Sequence, residues 1–149
     1  MLLNLDGRKI YFDLAGPQNA PVVCFTHSLA ADGGMWNEQL VPLLAAGYRV
    51  LRLDMRGHGG SQPVEGDYTM DALAGDVKAA LDELGIAKVH YIGLSIGGMI
   101  AQALAASKVR IGVLVGSITA AERAELLEKI GRGEIDIVVG THALIGAID

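Results

Sequence analysis

The chain has 149 residues, 51% apolar and 19% charged, with 20 glycines and a formal net charge of −5. That length accommodates one domain with a real core, read here as spanning 1–149, and the composition excludes a disordered chain. The acidic balance offers no basic field to attract phosphates, so no nucleic-acid partner is expected.

In chain order, 2–5 and 9–14 read as antiparallel strands joined at Asp6-Gly7, a hairpin turn pair. The continuous apolar run 21–26 suits a strand buried on both faces. The 35–46 stretch reads as a helix, with Trp36, Leu40, Leu43 and Leu44 on one face and Gly47 as its stop. A strand at 49–53 precedes a glycine-rich loop, 54–66. The 70–84 stretch reads as an amphipathic helix between an N-cap at Thr69 and a stop at Gly85. A strand at 88–92 leads through Gly93-Leu94-Ser95-Ile96-Gly97 into a small-residue helix, 98–107. A strand at 109–115, a helix at 119–130 with a Thr119/Glu122 capping box, and a strand at 135–139 complete the pattern. Strands alternating with helices predict an α/β fold: a doubly wound, mostly parallel sheet of about seven strands with helices on both faces. The uncharged stretch 89–107 is long enough to imitate a membrane span, but its Gly-Gly pair, His90 and the central turn favour strand-turn-helix, so no membrane partner is expected. Cys24, the only cysteine, excludes an intramolecular disulfide. The start of the chain shows no signal peptide, which makes the cytoplasm the expected compartment.

The G-x-S-x-G run carries the chemistry. Between a strand and a helix it forms a nucleophile elbow, which lifts the Ser95 hydroxyl above the sheet edge. A serine needs a base to take its proton and donors to hold the oxyanion of the tetrahedral intermediate.

Three ordered motifs carry a family resemblance: His27-Ser28-Leu29-Ala30, the run from Asp54 to Ser61 (Asp-Met-Arg-Gly-His-Gly-Gly-Ser), and the elbow. With them, residues 1 to about 107 resemble the N-terminal half of an α/β-hydrolase, in the 3-oxoadipate enol-lactonase-like and esterase branch. The resemblance implies a truncated three-layer sandwich, an oxyanion hole from the N–H groups of Leu29 and Ile96, and a small ester or lactone as substrate. It also makes His27, Asp54, Arg56 and His58 structural loop residues. Residues from about 108 to 149 resemble a fragment of a RecG-type DNA helicase motor domain, through Gly116-Ser117, Ala121-Glu122-Arg123 and the run from Gly133 to Ile145. Neither a P-loop nor an acidic metal motif accompanies it, so NTP binding is not implied.

The expectation from this pairing is a recombined or engineered chimera with an incomplete serine-hydrolase site and no evolved activity. The alternative is a weak carboxylesterase or lactonase using Ser95; a nucleic-acid-binding fragment is the remaining reading. His142 follows the last strand at the sheet edge that carries Ser95, making it the candidate for an improvised base. Asp136 starts its strand, hence the opposite edge. Four scattered histidines and one buried cysteine give no metal-ligand spacing, and no cofactor is expected. The uncovered sheet edge predicts a homodimer by edge pairing or strand exchange.

Overall fold

The computed structural model describes residues 1–105, 111–114, 119–132, 134 and 137–140. Seven strands, β1 (Leu2–Leu5), β2 (Arg8–Ala15), β3 (Val22–Thr26), β4 (Arg49–Leu53), β5 (Val89–Gly93), β6 (Ile111–Leu114) and β7 (Ile137–Gly140), form one sheet in the order β1-β2-β4-β3-β5-β7-β6. The β1/β2 and β2/β4 pairs are antiparallel and the other four are parallel. The first five strands alone make a mixed sheet. The helices are α1 (Asn37–Ala45), α2 (Met70–Glu83), α3 (Ile96–Ala105) and α4 (Ala120–Gly131).

The strand period of two divides the core between the two faces. Val22, Cys24, Leu51, Leu53 and Tyr91 point to one face, where they pack with Leu73, Val77 and Ala80 of α2 and with Ile100 and Ala101 of α3. Val23, Phe25 and Val50 point to the other, against Trp36, Leu40, Leu43 and Leu44. Phe25 stacks on Trp36 with ring centroids 4.7 Å apart. Helices therefore cover both faces, as the alternation of elements requires. Burial pushes the Cys24 thiol up to about 12, so this cysteine is an inert core residue.

Local signals set most element ends. Asp6 (φ 49°) and Gly7 (φ 86°) make a two-residue turn with both residues left-handed, the geometry that matches hairpin twist. The Thr69 hydroxyl accepts from Ala72 N–H at 3.1 Å and starts α2. Glu122 accepts from Thr119 N–H at 2.7 Å while Thr119 accepts from Glu122 N–H at 3.2 Å, a reciprocal cap on α4. That cap holds the Glu122 carboxyl below its ordinary range, first through the Thr119 backbone bond.

Two expectations need correction. The helix expected at 35–46 is preceded by a 3-10 turn, Gly33–Trp36, with α1 proper beginning at Asn37. Asp32 accepts from Gly34 N–H at 2.8 Å and starts that tighter turn earlier than apolar periodicity suggests. The elbow helix begins at Ile96 rather than 98, directly after the serine. In addition, β7 lies between β5 and β6, an order that periodicity cannot give. No helix among the described residues is long and apolar enough to cross a membrane.

Candidate active site

Ser95 sits between β5 and α3 with φ 55°, in the left-handed region that costs a non-glycine residue about 1–2 kcal/mol. Its side chain is exposed. The turn is closed by Gly97 N–H to the Leu94 carbonyl at 3.0 Å, and α3 starts with Met99 N–H to the Ser95 carbonyl at 3.1 Å. Both motif glycines are sterically required. A Cβ on Gly93 would collide with the Gly97 carbonyl and fall 2.7 Å from Gly98 N. A Cβ on Gly97 would fall 2.7 Å from the Thr26 carbonyl and 3.0 Å from that of His27. The loop after β3 therefore lies directly on the first turn of α3. Beneath it, the buried Thr26 and Tyr91 hydroxyls share a 2.7 Å hydrogen bond. Burial raises the Tyr91 hydroxyl well above its ordinary pKa, so it stays neutral.

The loop after β3 turns at Ser28–Ala31, where Ala31 N–H reaches the Ser28 carbonyl at 3.1 Å. Ala30 holds φ 60° in this turn. Ala30→Gly should remove about 1–2 kcal/mol of strain against an unfolded-state entropy cost of about 0.4–1 kcal/mol. A small rise in Tm is the expected result, checked by thermal denaturation. Leu29 is 66% exposed, and Met99, one helical turn beyond Ser95, is 52% exposed. Among the described residues, no group takes the backbone N–H of Leu29 or of Ile96.

His27 is fully buried. Its Nδ1 lies 2.8 Å from the Ser28 carbonyl, and its Nε2 accepts from Met55 N–H at 2.9 Å. Burial holds its pKa below the ordinary 6.5. The unfolded chain takes up this proton near pH 6.5 while the folded chain resists it. The contribution is therefore complete above about pH 6.5 and is lost as pH falls from there towards the lower folded value. A Tm series from pH 7.5 to 5 should show that fall, with a shallower slope in His27→Gln.

The Asp54–Ser61 loop is pinned by its polar side chains. The Asp54 carboxylate accepts from Gly33 N–H at 2.7 Å and from Gly60 N–H at 2.8 Å, and the Ser61 hydroxyl donates to the Asp54 carbonyl at 2.6 Å. Arg56 forms a buried fork with Asp76 of α2, at 2.6 and 2.7 Å. This fork raises the Arg56 pKa further above its usual range. His58 stacks on His27 at 5.1 Å and bonds the Arg56 carbonyl, so it too is a loop residue.

The structure thus places Ser95, Ile96 and Leu29 at one sheet edge, on two loops in contact. His142 and Asp136 lie outside the described residues. His90 is exposed against Tyr48 and away from the elbow's packing. Among the described residues, no group of three or more His, Cys, Asp or Glu could hold a metal. Sequence reasoning missed Asp76, and also Met35, whose sulfur accepts from Ser28 N–H at 3.4 Å. Asp76 carried a readable signal: a lone carboxylate within the buried arc Leu73, Ala74, Val77, Ala80.

The chain belongs to the alpha/beta hydrolase fold family, whose model matches residues 21–132. It is 36% identical over 152 aligned residues to 3-oxoadipate enol-lactonase 1 of Acinetobacter baylyi, covering 95% of this chain and 56% of that protein. It is 38% identical over 93 residues to a bifunctional esterase/perhydrolase of Acinetobacter calcoaceticus, covering 62% of this chain and 34% of that one. The crystal structure of the enol-lactonase from Burkholderia xenovorans LB400 superposes with a TM-score of 0.71 at 36% identity, covering 77% of this chain and 46% of that one. The chain therefore spans about half the length, or less, of these relatives. The family match runs well past residue 107, and nothing in the comparisons supports a helicase segment from 108 or an engineered joint.

Proposed function

We propose that this chain carries the nucleophile and oxyanion half of a serine hydrolase acting on carboxylic esters or lactones. The observation that carries this reading is the exposed, left-handed Ser95 together with the N–H groups of Leu29 and Ile96, which no group takes among the described residues. Ser95 Oγ attacks the carbonyl carbon of the ester, and the carbonyl oxygen becomes the oxyanion that those N–H groups stabilise. The first turn of α3 adds its positive dipole end. His142 is the proposed base, being the histidine that follows Ser95 in the sequence, two residues beyond β7, which pairs with β5. It takes the hydroxyl proton and returns it to the leaving alkoxide as the ester C–O bond breaks. Water then hydrolyses the acyl-serine. The enol-lactonase and esterase names of the relatives support this substrate class.

A second reading is a recombined chain with no evolved turnover; strand order does not favour it, because β2 and β3, like β5 and β6, are sequential strands with another strand between them. Hydrolysis of p-nitrophenyl acetate and of a simple δ-lactone decides between them. Turnover that falls to the solvent rate in Ser95→Ala supports the hydrolase. Turnover equal in parent and variant supports the second reading.

A further inference from the structure

We propose that Met35 is a site of oxidative modification that switches off the oxyanion hole, its thioether being converted to a sulfoxide by hydrogen peroxide or an organic hydroperoxide. The assignment rests on the hydrolase reading above and adds a control to the same site. Met35 is 36% exposed, so a peroxide in solution reaches it. Its Sδ accepts from the Ser28 N–H at 3.4 Å, and the Ser28 hydroxyl stands 4.0 Å from it. The thioether is thus the partner of the residue that precedes Leu29. Met55 is shielded in the core. Met1 and Met99 are more exposed than Met35, but their sulfurs hold no backbone group among the described residues.

The sulfur attacks one peroxide oxygen. The S–O bond forms from a sulfur lone pair, the O–O bond breaks, and the displaced hydroxide takes the proton of the transferred hydroxyl and leaves as water. Sulfur loses two electrons and the peroxide gains them. The product is polar and chiral where the thioether was apolar. An N–H···O bond needs about 2.9 Å between nitrogen and oxygen, and nitrogen and sulfur are only 3.4 Å apart. An oxygen on the lone pair that faces the N–H therefore forces sulfur and nitrogen apart. An oxygen on the other lone pair leaves the sulfur electron-poor and a weaker acceptor. The backbone of Met35 cannot follow, because it belongs to the 3-10 turn that Asp32 caps and that Asp54 anchors through the Gly33 N–H at 2.7 Å. The side chain swings away instead, and Ser28 is released. The turn from Ser28 to Ala31 carries the left-handed Ala30, a strained conformation that persists only where its surroundings enforce it. Freed at Ser28, that turn relaxes and the Leu29 N–H leaves the reacting carbonyl.

Hydrogen peroxide treatment of the full chain, followed residue by residue by peptide mass mapping, tests this. The readout is the rate at which a fluorophosphonate captures Ser95: the Oγ–P bond forms, the P–F bond breaks, fluoride leaves and the hydroxyl proton passes to the base. The maximal capture rate should fall on the order of 100-fold, as when a group is misplaced by about 1 Å. The fall should track the Met35 sulfoxide and leave the half-saturating probe concentration unchanged. Methionine sulfoxide reductases A and B, one for each epimer, should restore the rate. Met99→Leu should lose reactivity as the parent does. Met35→Leu, a swap close in volume, should keep after peroxide whatever rate it had before. Three results would overturn the proposal: a Met35→Leu chain that loses as much as the parent, a parent with oxidised Met35 and an undiminished rate, or a Met35 that stays reduced while Met1 and Met99 convert. If the untreated parent captures no probe, the hydrolase reading fails by itself, and the ¹⁵N-amide resonance of Ser28 then decides. Its displacement by peroxide in the parent and not in Met35→Leu supports Met35 as the modified site, and an unmoved resonance overturns it.

Discussion

Gly93→Ala should lower the thermal unfolding midpoint by at least about 6–12 °C. The new methyl would meet the Gly97 carbonyl group and Gly98 N, which are backbone atoms of the first turn of α3. Backbone cannot swing aside as a side-chain end does. Relief requires β5 and α3 to part, and Ile100 and Ala101 of that helix are core residues. The cost should reach at least about 3 kcal/mol, the upper end of overpacking penalties. Such a loss is a large share of the stability of a domain this size. Circular dichroism melting checks it, and Gly75→Ala on α2 is the control, since nothing lies within 4 Å of a Cβ there. Gly75→Ala should instead hold or raise the Tm through better helix propensity.

Asp76→Leu should cost about 3–5 kcal/mol, because removing one partner of a buried ion pair strands the other. The Arg56 side chain is only 9% exposed and is left without its fork. Arg8, whose Nε lies 3.5 Å from the same carboxylate, also loses its counter-ion, but at 34% exposed it can turn to water. Arg56→Met should cost less, because Arg8 remains beside Asp76. The double variant Arg56→Met, Asp76→Leu should recover much of the single-variant loss, since an apolar pair of similar volume often replaces a buried ion pair without penalty. Urea denaturation of the four proteins gives the cycle. A double variant as unstable as the sum of the singles would contradict the account.

What was legible in the sequence is what lies within one turn of itself. Ser95 and its glycines are contiguous, and their crowding follows from the turn. Thr69, Thr119 and Glu122 cap helices through bonds three residues long. The Asp54–Ser61 run was legible as a braced loop through its resemblance to the family. Contacts across the fold were not. Asp76 finds Arg56 twenty residues away, and nothing in the α2 pattern names the partner. The bond from Met55 N–H to His27 depends on β3 and β4 lying side by side. The place of β7 beside β5 is a choice of strand order, which apolar runs leave open because every parallel strand reads alike. The resemblance that assigned the last forty residues to another family rested on a short matched run, whereas the hydrolase match extends into α4.

The central claim is that the elbow presents Ser95 as an activated nucleophile. Intact-mass analysis after treatment with a fluorophosphonate tests it most directly, with Ser95→Ala alongside. One adduct per chain on the parent and none on the variant is the result this account predicts. A parent protein that unfolds cooperatively yet takes no adduct, or a variant labelled as fast as the parent, would contradict it.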